Sequence, residues 1–223
     1  MMKWLNPRSA LGITLITVAL LALPFVASMG GQAWVRILNF AILYVFLALG
    51  LNIVVGFAGL LDLGYIAFYA VGAYTWALLA SPHFGLHWPI WAILPIGAAL
   101  ACIAGVLLGS PTLKLRGDYL AIVTLGFGEI VRIFMNNLNA PINITNGAQG
   151  ITLIDPVKFG AFSFSGTTQI FGISVSGPQK YYYLLVALAI LVIVINLRLQ
   201  HSRVGRAWQA IREDEIAAKA VGI

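Results

Sequence analysis

Glu129 and Arg132 stand three residues apart inside a long apolar stretch, and they are the pair in this sequence whose types and spacing most plainly invite chemistry. An ionised side chain within a membrane span is costly and therefore needs a reason. Three residues apart on one helix, the two are neighbours and neutralise each other. The alternative is that one of them faces a pathway and meets the ammonium or carboxylate of a zwitterion. Asp62, near the start of another apolar run, reads either as a helix cap or as a contact beside an inner gate. Other chemistries lack their residues. The sequence has no Gly-rich loop ending in Gly-Lys-Ser/Thr to hold a nucleotide, so any ATP hydrolysis belongs to a partner. His83, His87 and His201 are scattered, with no His-Glu-x-x-His helix and no carboxylate cluster for a metal. There is no Gly-x-Ser-x-Gly elbow. Cys102 is the single cysteine, which excludes an internal disulfide or a thiolate cluster. No catalytic residue, cofactor or metal is predicted.

The most specific stretch is polar and follows the last apolar run, from Ser202 to Ile223. Its pattern predicts a helix to about Arg212, a break, and a short helix opened by Asp214 and closed at Gly222. Asp214 caps exposed amides, Glu213 and Glu215 lie near the positive helix end, and Lys219 lies near the negative one. Ala207, Ala210, Ala217, Ala218 and Ala220 keep the element thin, and a thin helix fits the groove of another protein.

Composition dictates the elements that must position these residues. Hydrophobic residues make up 61% of the chain and charged residues 9%, against about 25% charged in an average soluble domain. Six membrane spans are predicted, at about 10–29, 35–56, 60–80, 88–109, 119–137 and 181–199, each near the ~20 residues that cross the hydrocarbon core. The net charge of +6 does not mark a nucleic-acid surface, because the cations stand at the ends of apolar runs. With the N-terminus in the cytoplasm, Lys3, Arg8, Lys114, Arg116, Arg198, Arg203, Arg206, Arg212 and Lys219 face inward. Arg36, Lys158 and Lys180 face outward, which is the bias that fixes orientation on insertion. Lys3 and Arg8 ahead of the run from Ala10 to Met29 resemble a signal peptide, but the run is longer than a signal core and is taken as a retained first helix. Trp34, Trp88, Trp91 and the run Tyr181 to Tyr183 mark water boundaries. Asp62 and Asp118, each near the start of a span, are taken as helix caps. Residues 138–180 form an outside loop in which Phe162 and Phe164, then Phe171, Ile173 and Val175, alternate with small or polar residues and predict a short hairpin. The expected fold is an all-α polytopic membrane protein, one domain over 1–223, with about six transmembrane helices in lipid and a cytoplasmic segment at 200–223.

Glu215-Ile216-Ala217-Ala218 followed by Gly222 resembles the EAA loop of ABC importer permeases, the element that docks on the ATPase subunit. The fuller run from Gly205 to Ile223 is similar to the form found in branched-chain amino acid permeases of the LivM type. Gly59-Leu60-Leu61-Asp62-Leu63-Gly64-Tyr65 through Tyr74 and Leu115-Arg116-Gly117-Asp118-Tyr119 through Glu129 also resemble that family, and Thr145 to Ile151 does so less closely. The resemblance implies a non-enzymatic permease subunit in a bacterial cytoplasmic membrane, importing branched-chain amino acids. It implies as partners two ATP-binding subunits, a second related permease and an extracytoplasmic solute-binding protein. Gly205, Arg206, Ala207, Ala210, Ile211, Arg212, Glu213, Asp214, Glu215, Ala217, Ala218 and Gly222 would carry the coupling. The family continues past this loop with further membrane helices, so the chain is expected to be C-terminally incomplete. Urea or short amides are an alternative cargo in the same family. An ion-coupled secondary transporter using Glu129, Arg132 and Asp62 as a charge relay is an alternative class, though it leaves the EAA-like segment unexplained. A membrane scaffold without transport is a third.

Overall fold

The computed structural model describes residues 7–112, 115, 117–159, 162–170 and 173–222. Lys3, Lys114 and Arg116 of the charge count, Phe171 and Gly172 of the hairpin, and Ile223 lie outside the described residues. An apolar run crosses hydrocarbon only if its backbone polar groups bond internally, and the predicted spans are helical: α1 (Pro7–Met29), α2 (Gln32–Leu51), α3 (Ile66–Leu79), α4 (Ile90–Thr112), α5 (Asp118–Asn137) and α6 (Gly177–Gln200). Two short helices follow, α7 (Arg203–Glu213) and α8 (Glu215–Ala220). By length and composition Gln32–Phe57, Ile90–Thr112 and Gly177–Gln200 are each able to cross a membrane. The chain is an all-α polytopic membrane protein.

Two spans depart from plain α-helix. α2 runs on into a π-helical turn, Asn52–Phe57, a rare geometry that favours functional sites. α3 has only 14 residues, about 21 Å at 1.5 Å per residue against a core of about 30 Å. The span expected over 60–80 therefore begins as irregular chain that becomes helical only at Ile66.

The contacts group the chain into two compact units. The first comprises Met1–Phe46 and Phe164–Val192. Pro24 lies inside α1, and its missing N–H leaves the Leu20 carbonyl without its helical donor. Tyr182 is buried and its hydroxyl donates to that carbonyl at 3.2 Å, while Tyr183 Oη donates to Leu21 O at 2.7 Å. Tyr182, taken from sequence as a boundary residue, thus supplies the donor that Pro24 lacks. Lys180 is also buried, and its ammonium donates to Thr168 Oγ1 at 2.6 Å. The alternating residues 162–175 divide between two hairpins. β1 (Lys158–Phe159) pairs with β2 (Phe162–Ser163) in the second unit, and β3 (Thr168–Ile170) pairs with β4 (Ile173–Val175) in the first. Short connections are the favoured hairpin closures, which is why each strand pairs with its nearest neighbour in sequence.

The second unit comprises Leu47–Ser163 and Ile193–Ile223. α3 packs most extensively on α4 and also against α5. Its interior combines small buried side chains, Ala67, Thr75, Ala77, Ala80, Ala121 and Thr124, with the larger Phe57, Ile93, Leu120 and Val157. In hydrocarbon, helices associate through close packing and hydrogen bonds, and small residues permit both.

Candidate functional site

The site is built from the polar segment after α6 and the irregular chain before α3, both in the second unit. Ser202 ends the turn after α6 and caps α7: its Oγ donates to Leu199 O at 2.7 Å and accepts from Gly205 N at 3.0 Å. Gly205 is buried, and a Cβ there would overlap the Leu199 carbonyl. α7 therefore has one close-packed way to leave α6. Asp214 then ends one helix and opens the next. Its backbone N–H bonds Ala210 O, and its Oδ1 accepts from Ile216 N at 2.8 Å and Ala217 N at 3.0 Å. α8 closes at Gly222, with φ +84°. The break and both caps fall where the sequence pattern places them.

Along this element Arg206, Arg212, Glu213 and Asp214 are exposed, Ala207 and Ala210 half-buried, and Ala218 buried. Glu215 begins α8 and Ala217 is exposed on it. Four apolar side chains lie open: Ile216 is 82%, Val221 76%, Val204 53% and Ile211 42% exposed. Charged residues surround these uncovered apolar ones along α7, α8 and the turn that follows. Replacing Asp214 by Ala removes two N-terminal hydrogen bonds of α8, a loss of about 1 kcal/mol. We expect the backbone amides of Ile216 and Ala217 to exchange with solvent about fivefold faster in Asp214→Ala, measured by hydrogen–deuterium exchange.

Arg212 points back into its own chain. Its guanidinium donates to the carbonyl of Gly56 in the π-helical turn, and its stem lies over Gly59, where a Cβ would come within 2.6 Å of Cγ. Gly59 has φ +71°, a conformation that side chains resist. From there the chain is pinned residue by residue. Asp62 Oδ1 accepts from Gly64 N at 2.8 Å, and Leu63 N donates to Thr124 Oγ1 on α5 at 3.0 Å. Asp62 thus caps a turn and not a helix, because α3 starts four residues later. Asp118 occupies the first turn of α5, whose cap position is Gly117. A cavity of about 250 Å³ lies beside the pinned segment, lined by Asp62, Gly64, Phe68, Thr112, Thr124 and Phe127 among others.

Glu129 and Arg132 form the two-pronged pair that their spacing allows. Arg132 Nε donates to Glu129 Oε2 at 2.8 Å and Nη2 to Oε1 at 2.5 Å. Both side chains remain more than half exposed on the surface of α5. The structure does not bring them to Asp62, whose carboxylate bonds Gly64, so the three acid and base groups of the relay alternative are not one cluster among the described contacts. One pair has no sequence signal: His87 Nδ1 lies 2.5 Å from Asp155 Oδ2 across 68 residues, at the edge of a cavity of about 340 Å³.

The family described as branched-chain amino acid transport system / permease component matches residues 33–223. Over 97% of its length the chain is 46% identical to the high-affinity branched-chain amino acid transport system permease protein LivM of Escherichia coli (strain K12). It is 45% identical over the same share to the LivM protein of Salmonella typhimurium. A probable branched-chain amino acid transport permease protein LivM of Methanocaldococcus jannaschii is 27% identical over 69% of the chain and 40% of that protein. The chain spans about half the length of the curated relatives it matches, 52% for the first two. No solved structure matches it. With so much of its length matched and nearly half its residues shared, the chain belongs to the family of branched-chain amino acid transport system permease components.

Proposed function

We propose that this chain is a permease subunit of an ATP-driven importer of branched-chain amino acids, working in a bacterial cytoplasmic membrane with its N-terminus inside. The observation that carries the reading is the doubly capped α7–α8 element, with Ile216 and Val221 open on a charged helix pair. Such a surface fits a groove on an ATPase subunit, since the chain itself has no nucleotide-binding loop. By similarity to the LivM relatives, the partners are two ATP-binding subunits, a second related permease and an extracytoplasmic solute-binding protein. ATP acts by mechanical coupling: nucleotide binding shifts the inward and outward states only through contacts that differ between them. The element from Gly205 to Gly222 transmits that change to the membrane helices.

The test is uptake of radiolabelled leucine by proteoliposomes that hold the full-length chain with its co-purifying partners, with and without ATP and with urea as competitor. ATP-dependent uptake indifferent to urea is expected. Urea accumulation without leucine uptake would keep the machine and change its cargo. Uptake driven by a proton gradient without ATP would replace the reading with an ion-coupled transporter.

A further inference from the structure

We propose that Arg212 is a positioning residue that latches α7 to the unwound chain between Gly56 and Tyr65, so that movement of the coupling element is delivered to the inner cavity beside Asp62. The proposal rests on the importer reading above. The last carbonyls of a helix have no partner within it, and Gly56 lies in the final turn of the helix that ends at Phe57. Arg212 supplies that missing donor from 156 residues away, which places a cation at the negative end of the helix. A solvated arginine in the last turn of α7 has acidic neighbours at Glu213 and Asp214, yet the guanidinium is given to Gly56. The fit is two-sided, because Gly59 leaves room for the arginine stem that no other residue type would leave.

Beyond the latch the chain has little slack. Leu60 N bonds Val54 O at 3.2 Å, Asp62 N bonds Leu60 O at 3.0 Å, and Gly64 sits so close to α5 that a Cβ would come within 2.5 Å of Thr124 O. Val54, Asp62, Gly64 and Thr124 all line the cavity. A displacement of α7 therefore pulls on a short tethered segment whose far end forms the cavity wall. Irregular backbone at membrane depth is tolerated where it lines a cavity or is buried in protein.

The test places a cysteine at Leu60 in a full-length chain carrying Cys102→Ala and co-purified with its partners, and measures its labelling by a water-soluble maleimide with and without ATP. ATP is expected to change the labelling rate by about fivefold or more. Arg212→Ala is expected to remove that response while the ATPase subunits still co-purify, and Arg212→Lys to restore part of it. Gly59→Ala, which pushes the arginine stem away, is expected to act like Arg212→Ala and to add nothing to it. A response that persists in Arg212→Ala, or a rate indifferent to ATP in the parent chain, overturns the latch. Loss of the ATPase subunits from Arg212→Ala overturns it too, because the residue would then serve docking. An ATP-driven labelling change in proteoliposomes that take up no leucine would refute the cargo reading and leave the latch standing.

Discussion

Under the proposed importer function, Gly205→Val is expected to lower ATP-driven leucine uptake by about fivefold to 150-fold, the factor that an overpacking penalty of about 1–3 kcal/mol imposes on an equilibrium. The substituent has nowhere to go. Even a methyl group at this buried position would overlap the Leu199 carbonyl, which is backbone and already accepts from Ser202 Oγ at 2.7 Å. Relief comes only by swinging α7 away from the end of α6, which also breaks the bond from Gly205 N to Ser202 Oγ. α7 carries α8, so the exposed Ile216 and Val221 leave the position in which the proposed partner would meet them. Ser202→Ala removes the cap without the clash and is expected to cost only about 1 kcal/mol. Measuring uptake for both variants beside ATPase co-purification separates the steric effect from the capping effect. If Gly205→Val transports as fast as Ser202→Ala, the close packing at this turn does not set the orientation of α7.

The helix–break–helix form of the segment after α6 was legible in the sequence because its structure is local. Asp214 caps a helix that starts at the next residue, and the alternation of charge and alanine reports exposure without reference to the rest of the chain; the Ser202 cap, equally local, is an addition of the structure. The beginning of α3 was not legible. Hydropathy counts the apolar transfer of Leu60, Leu61 and Leu63 and predicts a span from residue 60. It does not register the hydrogen bonds that hold this chain out of a helix, of which Asp62 to Gly64 is local and Leu63 to Thr124 joins residues 61 apart. The role of Arg212 was hidden for the same reason. The spacing marks it as a basic residue in the last turn of a helix, whereas its partners Gly56 and Gly59 are set by tertiary packing. Tyr182 shows the converse. An aromatic run next to a span reads as an interface belt, and only the break at Pro24 in another helix gives its hydroxyl a place to bond.

Removing one member of the Glu129 and Arg132 pair is expected to damage the protein more than removing both. Each side chain is satisfied by two hydrogen bonds to the other, at 2.8 and 2.5 Å, while remaining more than half exposed on a helix that the sequence predicts to span the membrane. Glu129→Gln leaves an arginine, and Arg132→Gln a glutamate, with an uncompensated charge among apolar neighbours such as Ile130 and Ile133. Either single variant should lower the membrane-inserted yield by about fivefold, and the double variant Glu129→Gln with Arg132→Gln should recover most of that loss. Exchange of the two residues keeps the pair and is expected to come close to the parent, slightly below it because glutamate ahead of its cationic partner is the better order on a helix. The same variants decide what the pair is for. In a subunit driven by ATP the double variant still takes up leucine, since neither charge enters the energy-coupling step. In a carrier driven by a proton gradient Glu129 is the group that binds and releases the proton. A double variant that is inserted normally, retains its ATPase partners and yet transports nothing would therefore move the pair from structure to the transport pathway.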